Sequence, residues 1–164
     1  MFNLGRKKPD PIKHCNIYMH LTDDVAIVSV MHKTFGIYDC AGGSTKVSTV
    51  NPTKFGEAVT AAFDQFQLIA YDNNAPAEQR ELDASPALIA SGLKTKKAFE
   101  RDYMRIGMAG ANEANIIYLL ETNYVVEEVQ LRASCGDVPK LLGARLLMLK
   151  KYYRQFSAQV SPGT

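Results

Sequence analysis

Apolar and β-branched residues gather in two short runs near the start of the chain, Cys15-Asn16-Ile17-Tyr18-Met19-His20 and Val25-Ala26-Ile27-Val28-Ser29-Val30-Met31. Thr22-Asp23-Asp24 between them is turn material, so the pattern predicts a hairpin. Phe35-Gly36-Ile37-Tyr38-Asp39-Cys40 predicts a further short strand. Ala41-Gly42-Gly43-Ser44 predicts a tight turn, because glycine enters positive φ without steric cost, and residues 45–50 are expected to return antiparallel. The period then changes. Phe55, Val59, Ala62, Phe63 and Phe66 recur at three- and four-residue spacings, which predicts an amphipathic helix over 52–68. Asn51 suits its N-cap, and Pro52 suits the first helical position, where a missing N–H is no loss.

Periodicity is lost between Tyr71 and Pro86, where Asp72-Asn73-Asn74-Ala75-Pro76 is dense in turn formers, so this stretch reads as an exposed connection between two halves. Ser85-Pro86 predicts the start of a short helix over 87–91 that Gly92 ends. Thr95 predicts the start of another, carrying Phe99, Tyr103 and Ile106 inward. Strands are expected over 105–109, 116–120 and 125–133. From Asp137 the chain becomes helical, with Leu141, Leu142, Arg145, Leu146, Leu149 and Tyr152 or Tyr153 expected on a buried stripe.

A β-rich run, a proline and then a hydrophobic-Gly pair occur twice, as 45–56 and as 129–143. Aligning Pro52 with Pro139 puts Phe55 on Leu142, Gly56 on Gly143, Val59 on Leu146, Ala62 on Leu149 and Phe66 on Tyr153. A glycine inside a helix costs roughly 1 kcal/mol relative to alanine, so two at equivalent places suggest that each helix passes close to its sheet. Chance similarity between two amphipathic helices explains the match equally well. Either way the expected class is α+β, a central, mostly antiparallel β-sheet with packed helices; an internal βα pseudo-repeat is the first of the two alternatives. One domain over 14–157 is expected, after a flexible leader over 1–13 and before a disordered tail over 158–164.

At 164 residues, 46% hydrophobic and 22% charged, the chain is long and apolar enough to bury a core without disulfides or metal, and far from the disordered regime. A net charge of +2 from 19 basic and 17 acidic residues is too small to imply nucleic-acid binding by itself. Cys15, Cys40 and Cys135 lack metal-ligand spacing and read as reduced thiols of a cytoplasmic protein. Arg6-Lys7-Lys8 is not followed by the apolar stretch of a signal peptide, and no run reaches transmembrane length. No cofactor or metal is expected.

Chemistry-bearing groups are sparse. Alternation places His14 and His20 on one strand face. Paired histidines with a lysine could serve a metal-independent ribonuclease, for which His20, His32 and Lys33 are the candidate set. Against it, strand-end histidines are usually partly exposed polar residues. A Cys40 nucleophile activated by His32 has nothing in the sequence to fix its geometry. Gly42-Gly43-Ser44-Thr45-Lys46 lacks the glycine spacing and Lys-Ser order of a phosphate loop. Lys140, Arg145, Lys150, Lys151 and Arg154 read as a solvated basic helix face rather than a phosphate track, since no aromatic residues are interleaved outside the apolar stripe. The locally acidic stretch of Asp72, Glu78, Glu81 and Asp83 has the sign to meet a basic protein.

Four segments carry a family likeness: Phe35-Gly36-Ile37-Tyr38-Asp39-Cys40-Ala41-Gly42, Lys54-Phe55-Gly56-Glu57-Ala58-Val59, Leu93-Lys94-Thr95-Lys96-Lys97-Ala98-Phe99, and a final strand leading to Leu141-Leu142-Gly143-Ala144-Arg145-Leu146. Together, over about residues 25 to 150, the chain resembles one group of contact-dependent growth inhibition immunity proteins. The resemblance implies a cytoplasmic, bacterial, non-enzymatic inhibitor. Its partner would be the C-terminal domain of a cognate toxin, often a nuclease, with no direct contact to nucleic acid or membrane. The expected partner-binding residues are the acidic Asp72, Glu78, Glu81 and Asp83, with Tyr71 and Tyr124 as aromatic anchors. An exposed sheet edge offers a second mode, in which a toxin strand extends the sheet.

Overall fold

The computed structural model describes residues 13–34, 37–39, 43–68, 86–110, 116–122, 125–133 and 139–160. Six strands form the main sheet: β1 (Lys13–His20), β2 (Val25–Val30), β5 (Ser44–Ser48), β7 (Tyr103–Gly110), β8 (Ile116–Thr122) and β9 (Val125–Ala133). Their order is β5-β2-β1-β7-β8-β9, and every neighbouring pair is antiparallel. The fold is α+β. β3 (His32–Thr34), β4 (Ile37–Asp39) and β6 (Gln67–Leu68) make a smaller sheet in which β6 runs parallel to β3. The helices are α1 (Pro52–Asp64), α2 (Pro86–Ser91), α3 (Lys96–Asp102) and α4 (Pro139–Val160). β1 thus takes in the last residue of the expected leader, and α4 runs into the expected tail.

Alternation along β1 decides what each face of the sheet meets. Cys15, Ile17 and Met19 are fully buried beneath α1 and α4, together with Ala26, Val28, Met104, Ile106 and Met108 from the strands on either side. Phe55, Val59, Ala62 and Phe63 of α1 and Leu142, Leu146 and Leu149 of α4 close this core. The opposite face, through Tyr18, Ile27 and Tyr103, packs against Ala87 and Leu88 of α2 and Phe99 of α3. Each fully buried large side chain contributes about 1.5–3 kcal/mol, against about 0–1 kcal/mol for exposed ion pairs such as Lys96–Glu100, so the two cores hold the fold.

The sheet order reads the same from either edge. β1, β2, β5 and α1 form one half and β7, β8, β9 and α4 the other, with β1 and β7 meeting at the centre in the register Lys13↔Gly110 to His20↔Tyr103. The equivalent residues Phe55 and Leu142, Val59 and Leu146, and Ala62 and Leu149 all lie in the same core. The glycines, however, do not sit against the sheet. A Cβ at Gly56 would overlap the Pro139 carbonyl oxygen and lie 2.6 Å from its carbon, while one at Gly143 would overlap the Pro52 carbonyl oxygen and lie 2.8 Å from its carbon. The close approach is between the two helices, each placing its first-turn carbonyl where the other lacks a side chain. Cα–H···O contact is the interaction such an approach permits.

Three further expectations need correction. β5 pairs with β2, not with the strand before it, and β4 turns back on β3. The Ser29 and Ser44 hydroxyls, opposite one another and 2.6 Å apart, help set this register, which brings Val47 onto the main core and delivers α1 directly over the sheet. α1 stops at Asp64, because Gln67-Leu68 joins the edge of β3. α3 stops at Asp102, so Ile106 points into the α1–α4 core from a strand, on the face opposite Phe99. The caps are as expected. Asn51 Oδ1 accepts from the amides of Thr53 (3.0 Å) and Lys54 (3.2 Å), Thr95 Oγ1 accepts from Ala98 N–H at 3.2 Å, and Gly92 ends α2 with φ 77°.

Candidate functional site

Tyr71, Asp72, Glu78, Glu81, Asp83 and Tyr124, the expected partner-binding residues, lie outside the described residues, as does Cys40. The ribonuclease set does not assemble. His20 closes one end of β1, whereas the register Cys15↔Val30 carries His32 and the adjoining Lys33 past the other end. At about 3.3 Å per strand residue, some 20 Å separate the two histidines, too far to share a substrate bond.

His20 is engaged by its own turn. Its Nδ1 accepts from the backbone N–H of Asp23 at 3.0 Å and of Thr22 at 3.3 Å, so that nitrogen carries no proton and the ring donates only through Nε2. The Asp23 carboxylate lies 3.7 Å from the same nitrogen. The ring stands edge-on to Tyr103, which stacks on Phe99. Burial pushes the Tyr103 phenol up, with the Asp23 and Asp102 carboxylates adding to the shift. Arg101 grips the Asp102 carboxylate with two hydrogen bonds, of 2.6 and 2.9 Å, and holds it below its usual range. The Asp102 carbonyl accepts from Leu21 N–H at 2.8 Å, and the buried Lys150 ammonium of α4 donates to the Asp23 carbonyl at 2.6 Å. These groups clasp the β1–β2 turn to the α3–β7 junction and to α4. They do not face a common cleft as an acid and a base must.

A surface feature stands out on α4. Of the residues expected on its buried stripe, Leu142, Leu146 and Leu149 are buried, but Leu141 is 43% and Tyr152 45% exposed, and Met148 between them is 68% exposed. At seven- and four-residue spacings the three fall within about 20° of one line along the helix. Lys140 and Lys151 flank this line in solvent, Arg145 lies half-buried along it, and α4 contains no acidic residue. The pseudo-symmetric positions around α1 are Lys54, Ala61 and Gln65, all exposed and none of them large and apolar. The outer face of such a helix can therefore be polar or small in this fold. Val50 and Ile89 are exposed singly, which is ordinary for surface residues.

The sequence contains a signal for this line. Leu142, Leu146, Leu149 and Tyr153 already complete a core stripe, so Leu141, Met148 and Tyr152 are apolar residues in excess of what one buried face needs. Among the described residues no group of three His, Cys, Asp or Glu side chains is placed to hold a metal ion, and no helix is long and apolar enough to cross a membrane.

No family model and no curated protein matches the chain. Among solved structures, the protein of unknown function NMB0488 from Neisseria meningitidis is similar, with a TM-score of 0.59 at 14% identity, over 87% of this chain and 95% of that one. At that identity the likeness shows the fold alone.

Proposed function

We propose that this chain acts by holding another protein, as an immunity protein of the contact-dependent growth inhibition type that binds its cognate toxin domain and blocks the toxin's active site or substrate groove. One observation carries the binding part of this reading: the exposed line of Leu141, Met148 and Tyr152, in a fold whose matching helix does without one. Contiguous exposed apolar groups rimmed by charge mark interaction sites more often than they serve stability. The toxin as partner comes from the resemblance of the four segments given above. In this reading Asp72, Glu78, Glu81 and Asp83 contribute charge that selects the partner, and Tyr71 and Tyr124 contribute anchoring area.

Co-expression with the toxin domain encoded immediately upstream tests the reading. A one-to-one complex is expected on size exclusion with light scattering, and titration of purified toxin with this chain is expected to abolish toxin activity at equimolar ratio. Toxin that elutes alone and keeps its full activity would refute it.

A further inference from the structure

We propose that the outer face of α4 docks an acidic, amphipathic segment of the partner protein, seating that segment's apolar residues against Leu141, Met148 and Tyr152 while its carboxylates meet Lys140 and Lys151. This rests on the reading of the chain as a toxin-binding protein and specifies the chemistry of one contact within it.

Geometry sets the size of the occupant. From Leu141 to Tyr152 the helix rises about 16 Å, which matches three turns of a partner helix or a five-residue strand. Charge sets its sign. The exposed ammonium groups of Lys140 and Lys151 both lie along one side of the apolar line, about a quarter turn from it, and no carboxylate on α4 offsets them. The third lysine, Lys150, is buried and turned inward onto the Asp23 carbonyl, so it belongs to the fold rather than to this face.

The same charge pattern disfavours a second copy of the chain. An isologous contact between two α4 faces would set lysine against lysine at both ends of the line, and like charges across an interface oppose association. A membrane surface fits the basic flank but not the apolar width. The broad apolar face of α4 is already buried through Leu142, Leu146 and Leu149, leaving a line one residue wide, where an interfacial helix needs a full face.

The contact also places the docking segment relative to any nuclease chemistry. A groove that binds nucleic acid is lined with basic groups to meet phosphates, and Lys140 and Lys151 would repel it. α4 therefore grips an acidic surface of the toxin outside its substrate groove, leaving the groove itself to other parts of the inhibitor.

The test is calorimetric titration of the upstream-encoded toxin domain with four versions of the full chain: wild type, Met148→Glu, the pair Lys140→Glu/Lys151→Glu, and Ala61→Glu on the equivalent line of α1. All four substituted positions across these variants are exposed, so thermal unfolding should stay close to that of the wild type. Affinity is expected to fall at least about 100-fold in Met148→Glu, which buries a charge at the centre of the contact, and about tenfold in the lysine pair. The lysine effect should shrink in 0.5 M salt, roughly as screening dictates, while Ala61→Glu binds like wild type. A wild-type complex that Met148→Glu and the lysine pair leave unweakened overturns the docking proposal and spares the toxin-binding reading. Absence of any complex overturns both. Two control measurements also count against the proposal: concentration-dependent dimerisation of the isolated chain that Met148→Glu abolishes, or Met148-dependent binding to phosphatidylserine vesicles.

Discussion

At the scale of single residues, two polar groups that look available for chemistry, His20 and Lys150, are committed to the backbone. His20 gives its Nδ1 lone pair to the turn that follows it, and Lys150 gives its ammonium to the Asp23 carbonyl in that same turn. Tyr103 completes the cluster, and its titration yields a pH prediction. Burial raises the phenol's folded-state pKa, so its contribution to stability is complete below the unfolded value of about 10 and is lost as pH rises through the folded value. Between pH 9 and 11 the wild type should therefore lose thermal stability faster than Tyr103→Phe, which keeps the ring contacts with His20 and Phe99 but cannot ionise. Melting temperatures of both proteins across that range provide the check. Parallel curves would show that Tyr103 ionises alike in both states.

At the scale of elements, the crossing of α1 and α4 turns on two glycines. Each admits a carbonyl of the other helix, and the atom in the way of a new side chain is backbone, which cannot swing aside. Gly56→Ala and Gly143→Ala should each destabilise by about 2 kcal/mol, since overpacking of this kind costs about 1–3 kcal/mol or more and alanine's helix propensity returns only about 1 kcal/mol. The double variant should lose clearly less than the sum, because helices already parted for one Cβ make room for the second. Urea unfolding of the four proteins measures this cycle, and strict additivity would mean that the two contacts are independent. The line on α4 belongs to the same scale. It was readable as surplus apolar residues, but the choice of Leu142 over Leu141 for the core follows from the rotation of α4 on the sheet, which packing against Phe55 and Val59 sets.

At the scale of the whole molecule, two halves share one sheet and one core across a pseudo-two-fold axis between β1 and β7. Each half alone would expose the long inner edge of β1 or β7 and half of an apolar core, so each has strong reason to find the other. A chain supplied as two pieces, 1–75 and 76–164, should reassemble on mixing into a one-to-one complex with the circular dichroism of the intact protein. The internal likeness supplies the competing product, a homodimer of either piece, which size exclusion of each piece alone would reveal. If the pieces stay apart or only self-associate, the contacts between β1 and β7 and between α1 and α4 are too weak to hold without the covalent link.

The amino-acid sequence by itself determined what depends on a residue and its neighbours within about one helical turn. The caps at Asn51 and Thr95, the stop at Gly92, the amphipathic period of α1, and the matched Pro52–Gly56 and Pro139–Gly143 segments are all of that kind, because hydrogen-bond reach and side-chain spacing are local quantities. Only the tertiary structure decided that β5 lies beside β2, that the glycines meet across two helices, that His20 and His32 stand at opposite ends of the sheet, and that Leu141, Met148 and Tyr152 remain outside. Those outcomes depend on which distant segments touch. Alternation along a strand says that one face is buried, but it carries no label for the surface that buries it.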